Sequence, residues 1–149
     1  MSTKEEVLLH EFKKYYKGKN PKKFIKIGTK NQSKIADCEL EYDDEYVKLE
    51  AKVFDDTRSN SNNIHKMFTQ VLTDRNKNCF NNIKNLDVKY GFLFKSSNIE
   101  YVKDKLKKEF VKNDLIVFEE QFELKYVFIY DCKNKSYKVE EWKNFIKTE

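Results

Sequence analysis

Asp37, Glu50 and Lys52 are the residues of this chain whose types and spacing could do chemistry. They belong to the stretch Ile35 to Phe54, IADCELEYDDEYVKLEAKVF, which alternates apolar and polar residues on both sides of a polar Asp43-Asp44 step. Such period-two patterning predicts two half-buried strands joined by a tight turn. One face collects Ala36, Cys38, Leu40 and Tyr42 with Val47, Leu49, Ala51 and Val53. The other collects Asp37, Glu39 and Glu41 with Tyr46, Lys48, Glu50 and Lys52. A two-residue or a four-residue loop gives one register, with Tyr42 opposite Glu45, Glu39 opposite Lys48 and Asp37 opposite Glu50. Glu39 with Lys48 is an ordinary cross-strand ion pair. Asp37 with Glu50 is a like-charge pair, which weakens a ladder; two carboxylates about 5 Å apart repel by roughly 1 to 3 kcal/mol. A divalent cation between them turns the repulsion into a binding site, since Mg²⁺ is commonly held by one or two carboxylates with water and phosphate oxygens. Lys52, on the same face, could then stabilise developing charge or orient an attacking water. The alternative is a solvated polar face on which Lys52 neutralises the two acids.

Asp37, a gap of twelve residues, then Glu50-Ala51-Lys52 resembles the PD-(D/E)xK nuclease superfamily of restriction endonucleases, Holliday junction resolvases and many repair and defence nucleases. The resemblance implies that Asp37 and Glu50 bind the metal, Mg²⁺ or Mn²⁺, that the backbone carbonyl of Ala51 joins them, and that Lys52 assists the nucleophile. It implies a nucleic-acid substrate, DNA before RNA, with 5′-phosphate and 3′-hydroxyl products. Many members dimerise to cut both strands, so a homodimer is an expectation here. Ala36 stands where the name-giving proline would be. An acid of the first helix often joins the site in a Glu-x-x-Leu-x-x-x-apolar pattern, which Glu5, Leu8 and Phe12 match. Glu6 with Leu9 is a poorer match, and Glu5 would equally suit the positive end of a helix. On the second helix Lys66 and Gln70, one turn apart, form a polar flank that the resemblance turns toward the hairpin and the substrate.

The elements that must position these residues are an α/β arrangement: a central mixed sheet flanked by helices, in one domain spanning 1–149. Thr3 to Tyr16 predicts a helix, capped by Ser2 or Thr3, with Leu8, Phe12 and Tyr15 as its apolar stripe. Phe24 to Ile27 predicts a strand, and Gly28 to Ser33 a turn before the hairpin. After a loop over Asp55 to Asn60, Ser61 to Arg75 predicts a helix with Ile64, Phe68, Val71 and Leu72 inward. Val88 to Phe94 predicts a strand, Asn98 to Val111 a helix capped by Asn98, and Leu115 to Phe118 a short strand. Tyr126 to Tyr130 and Tyr137 to Val139 are strands around a turn at Cys132 to Ser136, and Glu140 to Ile146 is a last amphipathic piece. Helix, three strands, helix, strand resembles the αβββαβ restriction-endonuclease-like core, followed by a C-terminal α/β extension.

Composition narrows the function classes. With 149 residues and 15% aromatics spread along its length, the chain has the material for a packed core. No apolar run is long enough to span a membrane, and the charged start MSTKEEVLLHEF argues against a signal peptide, so the cytoplasm is the expected location and no membrane partner is expected. A net charge of +5 mildly favours a polyanionic partner. Arg58 and Arg75 are the only arginines, so bidentate reading of guanine has little support. Lysines act as point charges on phosphates, which suits backbone-directed binding. Lys17, Lys19, Lys22 and Lys23, near Tyr15, Tyr16 and Phe24, form the best candidate grip; the runs Lys103 to Lys108 and Lys133 to Lys138 read as solvated faces. Cys38, Cys79 and Cys132 lack metal-ligand spacing, and two histidines do not make a zinc site. Three glycines without a Gly-rich loop argue against a Walker or Rossmann nucleotide site.

Overall fold

Asp43 and Asp44 sit at φ of 52° and 62°, two consecutive left-handed residues of the kind a type I′ hairpin turn demands and Asp tolerates. This two-residue turn sets the hairpin register in the computed structural model, which describes residues 4–28, 37–55, 60–75 and 88–147. The chain runs α1 (Lys4–Lys19), β1 (Ile25–Ile27), β2 (Cys38–Tyr42), β3 (Glu45–Lys52), α2 (Asn60–Asp74), β4 (Val88–Lys95), a 3₁₀ turn (Ser96–Asn98), α3 (Ile99–Glu109), α4 (Lys112–Phe122), β5 (Leu124–Asp131), β6 (Ser136–Glu141) and α5 (Trp142–Phe145). The strands lie in chain order in one mixed sheet. β3, β4 and β5 are parallel, and β1, β2 and β6 run antiparallel to their neighbours. Tyr42 pairs with Glu45, Glu39 with Lys48 and Cys38 with Leu49. The expected α/β class, with helix, three strands, helix and strand followed by an α/β extension, is the observed one.

Helix α1 covers one face of the sheet. Its Leu8, Leu9, Phe12 and Tyr16 pack on Cys38, Leu40, Val47, Leu49, Ala51 and Phe128. Tyr16 takes the inward place expected of Tyr15, which remains partly buried. The opposite face is covered by α2 to α5, with Phe68, Phe92 and Trp142 at its centre. A flat sheet would hold β2 and β5 about 14 Å apart. Instead the Tyr42 ring lies 5.1 Å from that of Tyr126 and 5.2 Å from that of Phe128. The sheet therefore curls around α1, and Glu45 fastens the curl by accepting from the Tyr126 hydroxyl and, at 3.1 Å, from Lys125 Nζ.

Four expectations are corrected. The hairpin is not half-buried: on its polar face Glu39, Lys48, Glu50 and Lys52 are all buried, because β3 is an inner strand of a sheet covered on both sides. Leu72 is 43% exposed, while Met67 and Asp74 take inward positions. Leu115 to Phe118 is no strand but the middle of α4; Leu115, Phe118 and Phe122 share one helical face, and Trp142 Nε1 donates to the Leu115 carbonyl at 3.1 Å. Asn98 does not cap its helix with its side chain. Its Oδ1 accepts the Phe54 N–H at 3.0 Å and its Nδ2 donates to Asp55 at 3.0 Å, pinning the end of β3 to the start of α3. The predicted caps Ser2 and Thr3, most of the Gly28 to Ser33 turn and of the loop after Asp55, and Ile35 and Ala36 of the predicted hairpin lie outside the described residues.

Gly91 marks a close backbone approach in the sheet. A Cβ there would stand 2.5 Å from the Tyr126 carbonyl oxygen and 2.9 Å from Leu49 Cδ2, whereas one at Gly18 would meet nothing within 4 Å. Gly91→Ala is expected to lower unfolding stability by about 2 kcal/mol or more through overpacking. Gly18→Ala, inside α1, is expected to raise it by a few tenths to about 1 kcal/mol. Urea unfolding followed by Trp142 fluorescence checks both, and equal effects of the two substitutions would contradict the close approach.

Candidate functional site

The carboxylates meet where β2 begins. Asp37 directly precedes β2; its carbonyl accepts the Gly28 N–H at 2.9 Å and its Oδ2 accepts the Ala51 N–H at 3.1 Å. In an extended strand the N–H and C=O of one residue turn to the same side, so the Ala51 carbonyl also turns toward the flank where Asp37 sits. Glu50, 2% exposed, points to the opposite face of the sheet from α1, as its place between Leu49 and Ala51 dictates. The pairing expected of Asp37 and Glu50 is thus a contact of the folded protein: their side chains are hydrogen-bonded.

A third acid joins them, and the sequence reading passed over it. Asp74, the last residue of α2, is buried and hydrogen-bonded to Glu50 through its side chain. Its backbone carbonyl accepts a bond from Lys48 Nζ at 3.1 Å, which ties the end of α2 to β3. Burial pushes the Glu50 carboxyl far above its ordinary range, reinforced by the hydrogen bond from Asp74 and the negative charge of Asp37 and Asp74. Two carboxyl groups can bond to each other only while one holds a proton. The available signal was periodic: Ile64, Met67, Val71 and Asp74 continue one inward stripe of α2, and a carboxylate ending a buried stripe needs a partner.

Lys52 and Glu5 complete the group. Lys52 is 9% exposed and follows Glu50 on the same face. Burial raises the Glu5 carboxyl, Lys52 draws it back down, Asp37 raises it, and the Val53 N–H donates to it. The first turn of α1 therefore sits against the end of β3. On α2, Lys66 is exposed and Gln70 half-buried, its Oε1 enclosed with no hydrogen-bond partner among the described residues. Lys66, Gln70 and Asp74 follow one another at one-turn intervals, and of the three Asp74 reaches the carboxylates.

Lys17, Lys19, Lys22 and Lys23 stand at the other end of the hairpin. Phe24 is tied to Glu41 by two hydrogen bonds of 2.9 Å, from its own N–H and to its own carbonyl. That places the loop about 14 Å from Asp37 along β2. Lys17 donates to the Lys23 carbonyl at 2.7 Å. Against α1, Lys19 lies 5.5 Å from the Tyr137 ring and Asn20 donates to the Tyr137 hydroxyl at 2.9 Å, while Lys135 lies 5.9 Å from the Tyr15 ring and 3.6 Å from Glu11 Oε1. Cys38 lies on the α1 side, where burial pushes its thiol up and keeps it unreactive.

The donor set suits a hard divalent cation. Among the described residues no three of His, Cys, Asp and Glu are arranged to enclose an ion alone. Mg²⁺ does not need such a cage, because it retains water and takes one or two carboxylates. Asp37, Glu50 and the Ala51 carbonyl offer oxygen only, and the like charge crowded around Glu50 is what a cation relieves. The residues present fit the group.

No family model and no curated protein matches the chain. Solved structures do resemble it. An XisH family protein from Nostoc punctiforme PCC 73102 superposes with a TM-score of 0.55 at 14% identity, covering 90% of this chain and 98% of that one. An fdxN element excision controlling factor protein from Anabaena variabilis gives 0.55 at 15% identity, covering 91% and 98%. At such identities the likeness is one of backbone, and it spans nearly the whole of each chain: the protein has the fold of these two.

Proposed function

We propose that the protein is a metal-dependent phosphodiesterase acting on nucleic acid, DNA before RNA, in the manner of the PD-(D/E)xK nucleases. The observation that carries the reading is the contact of Asp37 with Glu50 at the buried end of the hairpin, beside Lys52. When bound, Mg²⁺ or Mn²⁺ would supply Lewis acidity and a water of lowered pKa. Asp37, Glu50 and the Ala51 carbonyl would hold it. Lys52 positions the attacking water or stabilises charge on the phosphate, and Glu5 orients Lys52 through charge attraction. Asp74 positions Glu50. The lysines of 17–23 grip the phosphate backbone about four nucleotides from the carboxylates, at roughly 3.4 Å per step. A homodimer, which would present two such sites to a duplex, belongs to the same proposal.

The second reading is a non-catalytic interaction module on the same scaffold, an immunity or accessory protein. It is favoured by the structural neighbour named an excision controlling factor. An acidic hairpin face gripping a cationic partner is a poor basis for it, because Glu39 and Glu50 are buried. Its signature would be a tight protein partner without divalent-ion binding.

Glu50→Ala and Lys52→Ala are each expected to lower Mn²⁺-dependent cleavage of linear and branched DNA at least about a hundredfold; cleavage unchanged in both would remove the site assignment. Asp74→Asn, which leaves the carbonyl that holds Lys48, is expected to weaken Mn²⁺ binding about tenfold in calorimetric titration, as loss of a supporting residue around a metal does. Unaltered affinity would confine Asp74 to a packing role.

Stability should depend on pH with a definite sign. Folded and ion-free, Glu50 keeps its proton well above the value near 4.3 at which it ionises in the unfolded chain. Above that value the folded state binds more protons than the unfolded state, so Glu50 makes stability fall as pH rises. Mn²⁺ is therefore expected to raise the melting temperature more at about pH 8 than at about pH 5. Glu50→Gln is expected to flatten the ion-free pH profile and to abolish the Mn²⁺ effect. A wild-type profile as flat as that of the variant would show that Glu50 is ionised in the folded protein.

A further inference from the structure

Lys48 is a buried ammonium that the proposed chemistry does not use. It is 2% exposed and lies on β3 two residues before Glu50, so both side chains leave the same face of the sheet, about 7 Å apart. Both go to Asp74. Lys48 Nζ donates to the Asp74 backbone carbonyl at 3.1 Å, and Glu50 is hydrogen-bonded to the Asp74 carboxyl. The last residue of α2 is therefore held at two points, main chain and side chain, by successive same-face positions of one strand. A contact at the carboxyl alone would let the last turn of α2 pivot about it. The second contact fixes where that carboxyl stands along β3.

The end of α2 needs such a partner. The last carbonyls of a helix lack intrahelical donors and carry partial negative charge. The last turn of α2 has no basic residue and ends in an acid, the unfavourable sign at that end. The next residue, Arg75, rests 5.8 Å from the Tyr90 ring and 5.6 Å from the Phe122 ring. β3 supplies the cation instead. Lys48 stands opposite Glu39 in the hairpin ladder, and Glu39 is fully buried and accepts from the Tyr46 hydroxyl. Stability gives little reason to keep two such charges inside, because apolar residues of like volume in place of a buried ion pair often leave a protein equally or more stable. What an apolar residue could not do is bond the Asp74 carbonyl.

We propose that Lys48, backed by Glu39, is a positioning residue of the carboxylate site: by holding the last carbonyl of α2 it sets the Asp74 carboxyl against Glu50. Its effect on ion binding rests on the metal-site reading above, and its effect on α2 does not. Glu39→Gln with Lys48→Met removes both charges and keeps an acceptor for Tyr46. In calorimetric titration this variant is expected to bind Mn²⁺ about tenfold more weakly than the wild type, with an equal or higher melting temperature. Adding Asp74→Asn is expected to weaken binding by no more than about twofold further, because Lys48 acts through Asp74. Without metal, amide exchange over residues 71–75 is expected to quicken at least about tenfold, while exchange in β4 and β5 stays as in the wild type. Wild-type affinity for Mn²⁺ in the variant, losses that multiply when Asp74→Asn is added, or unchanged exchange over 71–75 would each overturn the proposal. So would a lowered melting temperature with faster exchange throughout the sheet, which would make Lys48 a general stabiliser. A wild type that binds no Mn²⁺ would sink the metal-site reading instead, and exchange over 71–75 would then decide whether Lys48 holds α2.

Discussion

Like charges held together away from water are the constraint on which the rest of this structure turns. Asp37, Glu50 and Asp74 come from a strand entry, an inner strand and a helix end, and their carboxyls meet inside the fold. Repulsion between such groups grows as the local dielectric falls, so the arrangement persists only where neighbouring elements are firmly held. The Ala51 N–H holds Asp37, Lys48 holds the end of α2, and Asn98 holds the end of β3. Two of these bonds come from β3, at Lys48 and Ala51, and the third from the 3₁₀ turn at Asn98. A proton shared among the carboxyls relieves the repulsion in part, and a divalent cation would relieve more.

The sheet's curl brings about the complementary arrangement on the other side. Because Tyr42 reaches Tyr126 and Phe128, α1 lies in a trough, and both of its ends acquire tasks. Its first turn sets Glu5 against Lys52, and its last turn sets Lys19 5.5 Å from the Tyr137 ring of β6. One helix thus links the carboxylate end of the hairpin to a basic face at the turn end.

Much of this was legible in the residues because period-two alternation is local. The apolar sets of β2 and β3 dictate which faces are which, and the Asp43-Asp44 step dictates the register, so Asp37 and Glu50 could be brought together on paper. Burial of the polar face could not be read, since it depends on β3 lying inside a six-stranded sheet and on α2 closing over it. Asp74 was missed because, with Leu72 set inward, the stripe of α2 stops short of it, and a carboxylate in the last turn of a helix reads as solvated. Leu115 to Phe118 reads as a strand over four residues and as a helix only when Phe122 and the distant Trp142 are included. Asn98 has the residue type of a helix cap, but its side chain serves the preceding strand.

Arginine usage bears on how the proposed substrate would be recognised. Of the two arginines, Arg58 lies outside the described residues, and Arg75 is held 5.8 Å from the Tyr90 ring and 5.6 Å from the Phe122 ring. A guanidinium occupied by two rings is poorly placed to fork onto a guanine edge. What remains is lysine, which registers phosphate position and not base identity. Selectivity on such a surface must come from the shape of the nucleic acid. The distance between the lysine face and the carboxylates is fixed by β2 and α1, both packed into the core, so a substrate would be chosen by whether its backbone spans that distance. Binding of this kind weakens steeply with salt and depends little on sequence.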